Sequence, residues 1–270
     1  MMKTILIPTD FSANARNALD YVVQLSRFLG CRLILLHTFS THRRGDMLIS
    51  LEDRMRRDAE DSMNQLGKHI PEDIHWEYKI MVGDTVDTIV DQAKHCHADL
   101  IVMGTKGASG WEEVFIGSVT GGVMKAVNIP LLAIPAGFTY EPIEKIVLAM
   151  TNLKVSAPEE VFRPLKTLAE KSKASIQVYH HDQLNNELPE EVVEVIEWLG
   201  DVQVNLTFEQ DEEEVNKNIS DFVEATAADM LCMVRRNRSN IGFFERIFRD
   251  SVTLNQVFHC EVPLLILHAD

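Results

Sequence analysis

Three glycines and two hydroxyl residues are spaced as a phosphate cradle would space them. Gly104-Thr-Lys106-Gly107 opens a small-residue stretch that runs to Gly110, and Gly117-Ser118-Val119-Thr120 begins a later helical segment. Glycine lets backbone N–H groups approach phosphate oxygens, and a helix N-terminus adds unpaired donors and a positive dipole end. The Ser118 and Thr120 hydroxyls can donate to the same oxygens, and Lys106 supplies charge. A carboxylate, Asp10, ends the run KTILIPTD. An aspartate there can accept from a ribose hydroxyl or help to hold Mg2+. A plainer reading fits the same residues: Gly104 and Gly107 permit a tight turn, and Ser118 caps its helix. Spacing alone leaves both open.

The elements that must position these residues follow from hydrophobic periodicity. Ile5–Ile7, Leu33–Leu36, Leu100–Met103 and Leu131–Ile134 are continuously apolar, as strands covered on both faces must be. Trp76–Val82 (WEYKIMV) alternates instead, which marks a strand with a wet face and places it at a sheet edge. Between the strands lie helical patterns. Ser12 is a good N-cap, Ala15, Ala18, Leu19, Val22, Leu25 and Leu29 share one face, and Gly30 closes the helix. A longer, more polar helix is expected from about Asp46 to His69. Alternating βα units call for a parallel sheet. With the third strand at the edge, the order is 3-2-1-4-5, and the strand order reverses between strands one and four. Ligands of such sheets bind beyond the C-terminal strand ends at that reversal. Pro8, Thr9 and Asp10 end strand one there, and Met103 leads strand four into the glycine loop.

The chain also repeats itself. KTILIPTD (3–10) answers KIVLAMTN (145–152) at an offset of 142, and CRLILLH (31–37) answers ASIQVYH (174–180) at 143. ADLIVM (98–103) answers ADMLCM (228–233) at 130, while SVT at 118–120 and PLL at 130–132 recur 133 residues on. The expected fold is therefore α/β, two tandem copies of a doubly wound, mostly parallel five-stranded sheet with helices on both faces. The expected domains are 1–137 and 143–270, joined near Ala136–Pro142, where Gly, Pro and polar residues interrupt both patterns.

Gly104-x2-Gly107-x9-Gly117-Ser118 resembles the ATP-binding signature of universal stress proteins, G-x2-G-x9-G-(S/T). The likeness extends to PTDFS after strand one, LLH at the end of strand two, ADLIVMG into the loop and VNIPLLAIP at the last strand. The second copy keeps the same skeleton. The resemblance implies an ATP-binding tandem member of that family, with a role in stress survival and with its final strands mediating pairing between domains. It also implies base contacts near Thr38, Phe39 and Met103, and phosphate contacts along Gly104, Lys106, Gly107, Gly117, Ser118, Val119 and Thr120. Pro8, Thr9 and Asp10 complete the expected site, with Asp10 a candidate Mg2+ ligand through Mg-ATP.

The second copy departs from the signature. Asn152 replaces Asp10, Val234 replaces Gly104, and Asp250 replaces Gly117. A carboxylate at a phosphate-binding helix start repels the ligand. ATP is therefore expected in the first domain only. Arg235, Arg236 and Arg238, with Arg246 and Arg249, form a basic cluster open to two readings: an anion or partner site, or compensation for Glu245 and Asp250. His95-Cys96-His97 reads as a helix terminus rather than a metal site, because i,i+2 spacing does not stack ligands on one helical face. His180-His181 reads as strand-end lining, and 211–214 (DEEE) as an exposed turn.

Composition narrows the function classes. The net charge is −15, with 24 acidic against 12 basic residues after position 140, which disfavours nucleic-acid backbones. No apolar run is long enough to span a bilayer, and the opening Lys3 and ILIP run is too short for a signal-peptide core. Four cysteines without C-x-x-C spacing read as reduced thiols, so a cytoplasmic protein is expected. The expected partners are an adenine nucleotide, the two domains with each other, a second copy in a homodimer and an unidentified protein. Two other functions remain: a nucleotide-free interaction scaffold, and a slow ATPase or adenylyl-transfer enzyme. No G-x4-G-K-(S/T), H-x-G-H or S-G-G-x-D-S motif supports the enzyme, and no catalytic residue is assigned.

Overall fold

The computed structural model describes residues 2–40, 48–105, 117–150, 155, 157–181, 190–209, 215–236 and 261–269. The described residues divide into two compact units at Tyr140/Glu141. In the first unit, strands β1 (Thr4–Pro8), β2 (Arg32–Phe39), β3 (Trp76–Val82), β4 (Leu100–Gly104) and β5 (Leu131–Ile134) alternate with helices α1 (Ala13–Leu29), α2 (Leu48–Gly67), α3 (Thr85–His95) and α4 (Ser118–Ala126). The strands run in the order β3-β2-β1-β4-β5, and each neighbouring pair is parallel. Right-handed crossovers then put α1 and α2 on one face, and α3 and α4, which pack together, on the other.

The sequence explains these elements locally. Ser12 accepts from the Ala15 amide (3.2 Å) at the start of α1, and Gly30 ends the helix in the left-handed region at φ 72°. Asp84 caps α3, its carboxylate accepting from Val86 and Asp87. Cys96 closes α3 and His97 follows at φ 51°, so the His-Cys-His triplet is a helix end. Ile5, Leu6, Ile7, Leu33–Leu36 and Leu100–Val102 are at most 1% exposed. Each such side chain contributes roughly 1.5–3 kcal/mol relative to an exposed one. The repeated Ala-Asp pair has a structural purpose. Asp99 Oδ2 accepts the Lys3 and Thr4 amides (2.8 and 3.0 Å), which pins the start of β1 beside β4.

β3 is an edge strand, as its alternation predicts, but its exposure does not alternate. Tyr78 and Val82, in the apolar phase, are each 38% exposed, while Lys79 in the polar phase is half-buried. At the end of the sheet both faces are incompletely covered. Trp76 compensates by lying against the backbone of Gly67, at the end of α2, where an added Cβ would collide with the indole.

The second unit contains β6 (Lys145–Met150), α5 (Pro158–Val161), α6 (Arg163–Ser172), β7 (Ser175–His181), α7 (Glu190–Leu199), β8 (Val204–Glu209), α8 (Val215–Thr226), β9 (Met230–Arg236) and β10 (Leu264–Ala269). Its order, β8-β7-β6-β9-β10, is the same winding, again all parallel. Asp229 Oδ2 accepts the Glu144 and Lys145 amides (2.7 and 2.8 Å), repeating the role of Asp99.

That repetition corrects the letter-matched register of the first strand. Lys3 and Thr4 correspond to Glu144 and Lys145, an offset of 141 rather than 142. The pairings agree, since Thr4 sits opposite Arg32 and Lys145 opposite Ser175. Asp10 therefore corresponds to Thr151, not Asn152, and both lie outside the described residues. A strand buried on both faces carries no alternation from which to read its phase, so letters alone slipped it by one. The β4 assignment holds: Gly104 opposes Ile134 as Val234 opposes Leu267, at the expected offsets.

Candidate functional site

A cavity of about 240 Å3 opens at the C-terminal ends of β1, β2 and β4 in the first unit. That is a little below the ~300–1,000 Å3 usual for small-molecule sites, and more than a single ion requires. Pro8, Thr9 and Asp10 come from the end of β1, Leu36 and Thr38 from β2, Met103 and Gly104 from β4. Gly117, Ser118, Val119 and Thr120 come from the start of α4. Ten of the residues expected from sequence thus meet in one cavity. Phe39 does not line it; the ring is buried beside His37, at a centroid separation of 6.2 Å. Lys106 and Gly107 lie outside the described residues, as do Arg238, Arg246, Arg249, Asp250 and the acidic run 211–214.

Sequence reasoning missed a wall. Thr85 and Ile89 of α3, and Ala15 of α1, also line the cavity. Ile89 and Leu36 are nearly fully buried and give this side an apolar surface, beside the Thr38 and Thr85 hydroxyls. A flat, uncharged ring with polar edges fits such a wall. The missing signal was topological: the parallel strands start every helix at this end of the sheet, and right-handed crossovers bring α3 to the same face as α4.

Three helices reach the cavity with their N-terminal turns, and their caps differ. α1 is capped by Ser12 and α3 by the Asp84 carboxylate. α4 has Gly117 at its cap position, with no side-chain hydrogen bond. Among the described residues, the first-turn N–H groups of α4 are therefore the ones left open to an anion. Gly117 has φ −54° and ψ 154°, a conformation any residue adopts, so the backbone does not require glycine there. What glycine supplies is an uncovered helix end.

Gly104 plays a different part. A Cβ on it would lie 3.0 Å from the Asn14 carbonyl oxygen and 3.3 Å from the Asn14 carbonyl carbon. Its lack of a side chain lets the end of β4 approach the first turn of α1. Thr120, only 4% exposed, donates its hydroxyl proton to the Gly104 carbonyl (2.9 Å). That proton is committed to tying α4 to β4, so the hydroxyl expected to donate to phosphate has a structural partner. Ser118 is exposed, with no such bond among the described residues, and keeps its donor for a ligand. Asp10 is held by its own turn, its Oδ1 accepting from the Ser12 amide (3.0 Å).

The corresponding place in the second unit is built otherwise. β9 continues as strand through Arg235 and Arg236, paired with His268 and Ala269 of β10, where β4 has already ended at Gly104. Val234 occupies the Gly104 position and is 6% exposed. His268 has both ring nitrogens buried without a hydrogen-bond partner among the described residues. Burial, followed by the neighbouring Arg235 charge, lowers its pKa to about 4. Among the described residues no cluster of three potential ligands could hold a metal ion, and no helix is long and apolar enough to cross a membrane.

The model of the Universal stress protein family matches residues 1–135, half of the chain. Universal stress protein MJ0577 of Methanocaldococcus jannaschii is 30% identical over 155 residues, covering 50% of this chain and 95% of that relative. The chain belongs to the universal stress protein family. A second curated universal stress protein of the same organism, MJ0531, is 25% identical over 144 residues, 50% of this chain and 82% of its own length. The universal stress protein fold extends past the matched half. A crystal structure of a universal stress protein from Archaeoglobus fulgidus superposes with a TM-score of 0.73 at 19% identity, covering 98% of this chain and 96% of that one. At that identity the likeness speaks for the fold alone, and it does so for both units.

Proposed function

We propose that this universal stress protein binds one ATP in residues 1–137, leaves residues 143–270 without nucleotide, and acts as a regulator whose ligand state is read by a partner protein. The observation that carries the reading is the uncapped N-terminus of α4, facing a cavity whose other helix ends are already capped. The triphosphate belongs at the Gly117–Val119 amides and the Ser118 hydroxyl. The adenine belongs against Leu36, Thr38, Ile89 and Met103, and Asp10 accepts a ribose hydroxyl. Any Mg2+ would arrive with the phosphates, with Asp10 as its nearest protein ligand in this arrangement.

The one-site stoichiometry rests on the second unit's construction. A valine side chain and a strand extension occupy the place where the first unit has a glycine at which β4 ends. Arginine adds charge there, but its bulk does not reproduce the close backbone approach that glycine permits.

The direct test is to denature freshly purified protein and analyse the released material by absorbance and mass spectrometry, followed by ATP titration of the emptied protein. Adenine nucleotide release, or saturable ATP binding, supports the reading. Absence of both supports the nucleotide-free scaffold instead. Single-turnover hydrolysis well above a protein-free blank and lost in Asp10→Ala would favour an enzyme.

A further inference from the structure

The turn that carries Asp10 contains a backbone outlier. Phe11 has φ 62°, in the left-handed region, where a bulky residue is rare and needs surrounding support. Support comes from several directions. Arg16, one turn into α1, donates from both Nε and Nη2 to the Phe11 carbonyl oxygen (3.2 and 3.0 Å). The Phe11 amide donates to Thr9 Oγ1 (3.1 Å), and its ring lies 4.4 Å from the His37 ring. His37 Nδ1 donates in turn to the Thr9 carbonyl oxygen (2.8 Å).

The reversal at Phe11 brings the Ser12 amide back onto Asp10 Oδ1 (3.0 Å). The direction of the carboxylate is thus set by a conformation its own residues would not choose alone. Arg16 does not line the cavity, and its fork is spent on Phe11. We propose that Arg16 is a positioning residue that holds the Phe11 turn in its left-handed conformation and thereby aims the Asp10 carboxylate at the nucleotide ribose. This rests on the nucleotide reading of the cavity. Lysine at position 16 keeps the charge but loses the two-pronged hold on one carbonyl, so charge alone does not perform the task.

The test is a double-mutant cycle with two readouts. By calorimetry, Arg16→Ala weakens ATP binding by about five- to tenfold in the wild-type background and by less than about twofold in the Asp10→Asn background. Arg16→Lys behaves like Arg16→Ala. Adding Phe11→Gly to Arg16→Ala restores affinity to within about twofold, because glycine enters the left-handed region without help. An equal loss in both Asp10 backgrounds, or a loss that grows from AMP to ATP, would mean that Arg16 acts on phosphate and would overturn the proposal. The second readout is amide hydrogen exchange of Phe11 and Ser12 in nucleotide-free protein. Arg16→Ala should speed it by about tenfold or more with global unfolding unchanged, and unchanged exchange overturns the proposal. If wild-type protein binds no ATP, the nucleotide reading fails, and exchange alone still decides whether Arg16 holds the turn.

Discussion

Placing Asp at Gly117 should move ligand affinity and stability in opposite directions. The conformation at Gly117, φ −54° and ψ 154°, accepts a side chain without strain and suits an N-cap. An Asp cap gains a few tenths of a kcal/mol over glycine, and removing glycine from the unfolded chain adds about 0.4–1 kcal/mol. The folded protein should therefore be about 0.7–1.3 kcal/mol more stable. For the ligand, the same carboxylate fills the open helix end and faces the phosphates. Two unit charges at ~4 Å with an effective dielectric of ~20 repel by about 4 kcal/mol. Halved for solvent exposure, that is about 30-fold in affinity. Gly117→Asn separates charge from occupancy, since it caps the helix without charge and should cost only about fivefold, one lost hydrogen bond of ~1 kcal/mol. Titration calorimetry and thermal unfolding on the same samples make the comparison. Wild-type ATP affinity in a folded Gly117→Asp protein would refute the phosphate placement. A lower thermal stability in both variants than in wild type would refute the claim that this glycine is dispensable to the fold.

Three further outcomes follow from other contacts. Gly104→Ala puts a Cβ 3.0 Å from the rigid Asn14 carbonyl, and should destabilise the protein by about 1–3 kcal/mol in urea unfolding. Thr120→Val keeps the shape but leaves the Gly104 carbonyl without its 2.9 Å donor; a cost of about 1–3 kcal/mol is expected by the same assay, and a neutral result would show the bond to be incidental. His268 has a folded pKa lowered to about 4, so the unfolded chain takes up its proton first as pH falls. Its contribution is intact above the unfolded value of ~6.5 and is lost progressively below it, by about 2 kcal/mol at pH 5. The urea midpoint should accordingly fall less between pH 7.5 and pH 5 in His268→Leu than in wild type, and equal falls would exclude this residue as a source of acid sensitivity.

The strand order, the helix caps at Ser12 and Gly30 and the meeting of Asp10 with Gly117 were legible because alternation, cap chemistry and glycine spacing are local patterns. What escaped the letters was relational. The phase of β6 could not be read from KIVLAM, because a strand buried on both faces has no polar side to mark it. Thr85 and Ile89 have residue types that suggest only an ordinary helix, and become a cavity wall through the crossover that places α3. Gly104 and Gly117 looked equivalent in the signature, yet one serves helix–strand packing and the other leaves a helix end open. The turn at Phe11 gave no sign at all, since its type suggests a core residue rather than a left-handed one.

Native mass spectrometry of the intact chain across an ATP titration counts the nucleotides each molecule holds. One site per chain predicts a single bound nucleotide at saturation; at ATP of about three times the wild-type Kd, occupancy should fall from about three quarters in wild type to about a tenth in Gly117→Asp. Two nucleotides per chain, or one that persists undiminished in Gly117→Asp, would contradict it.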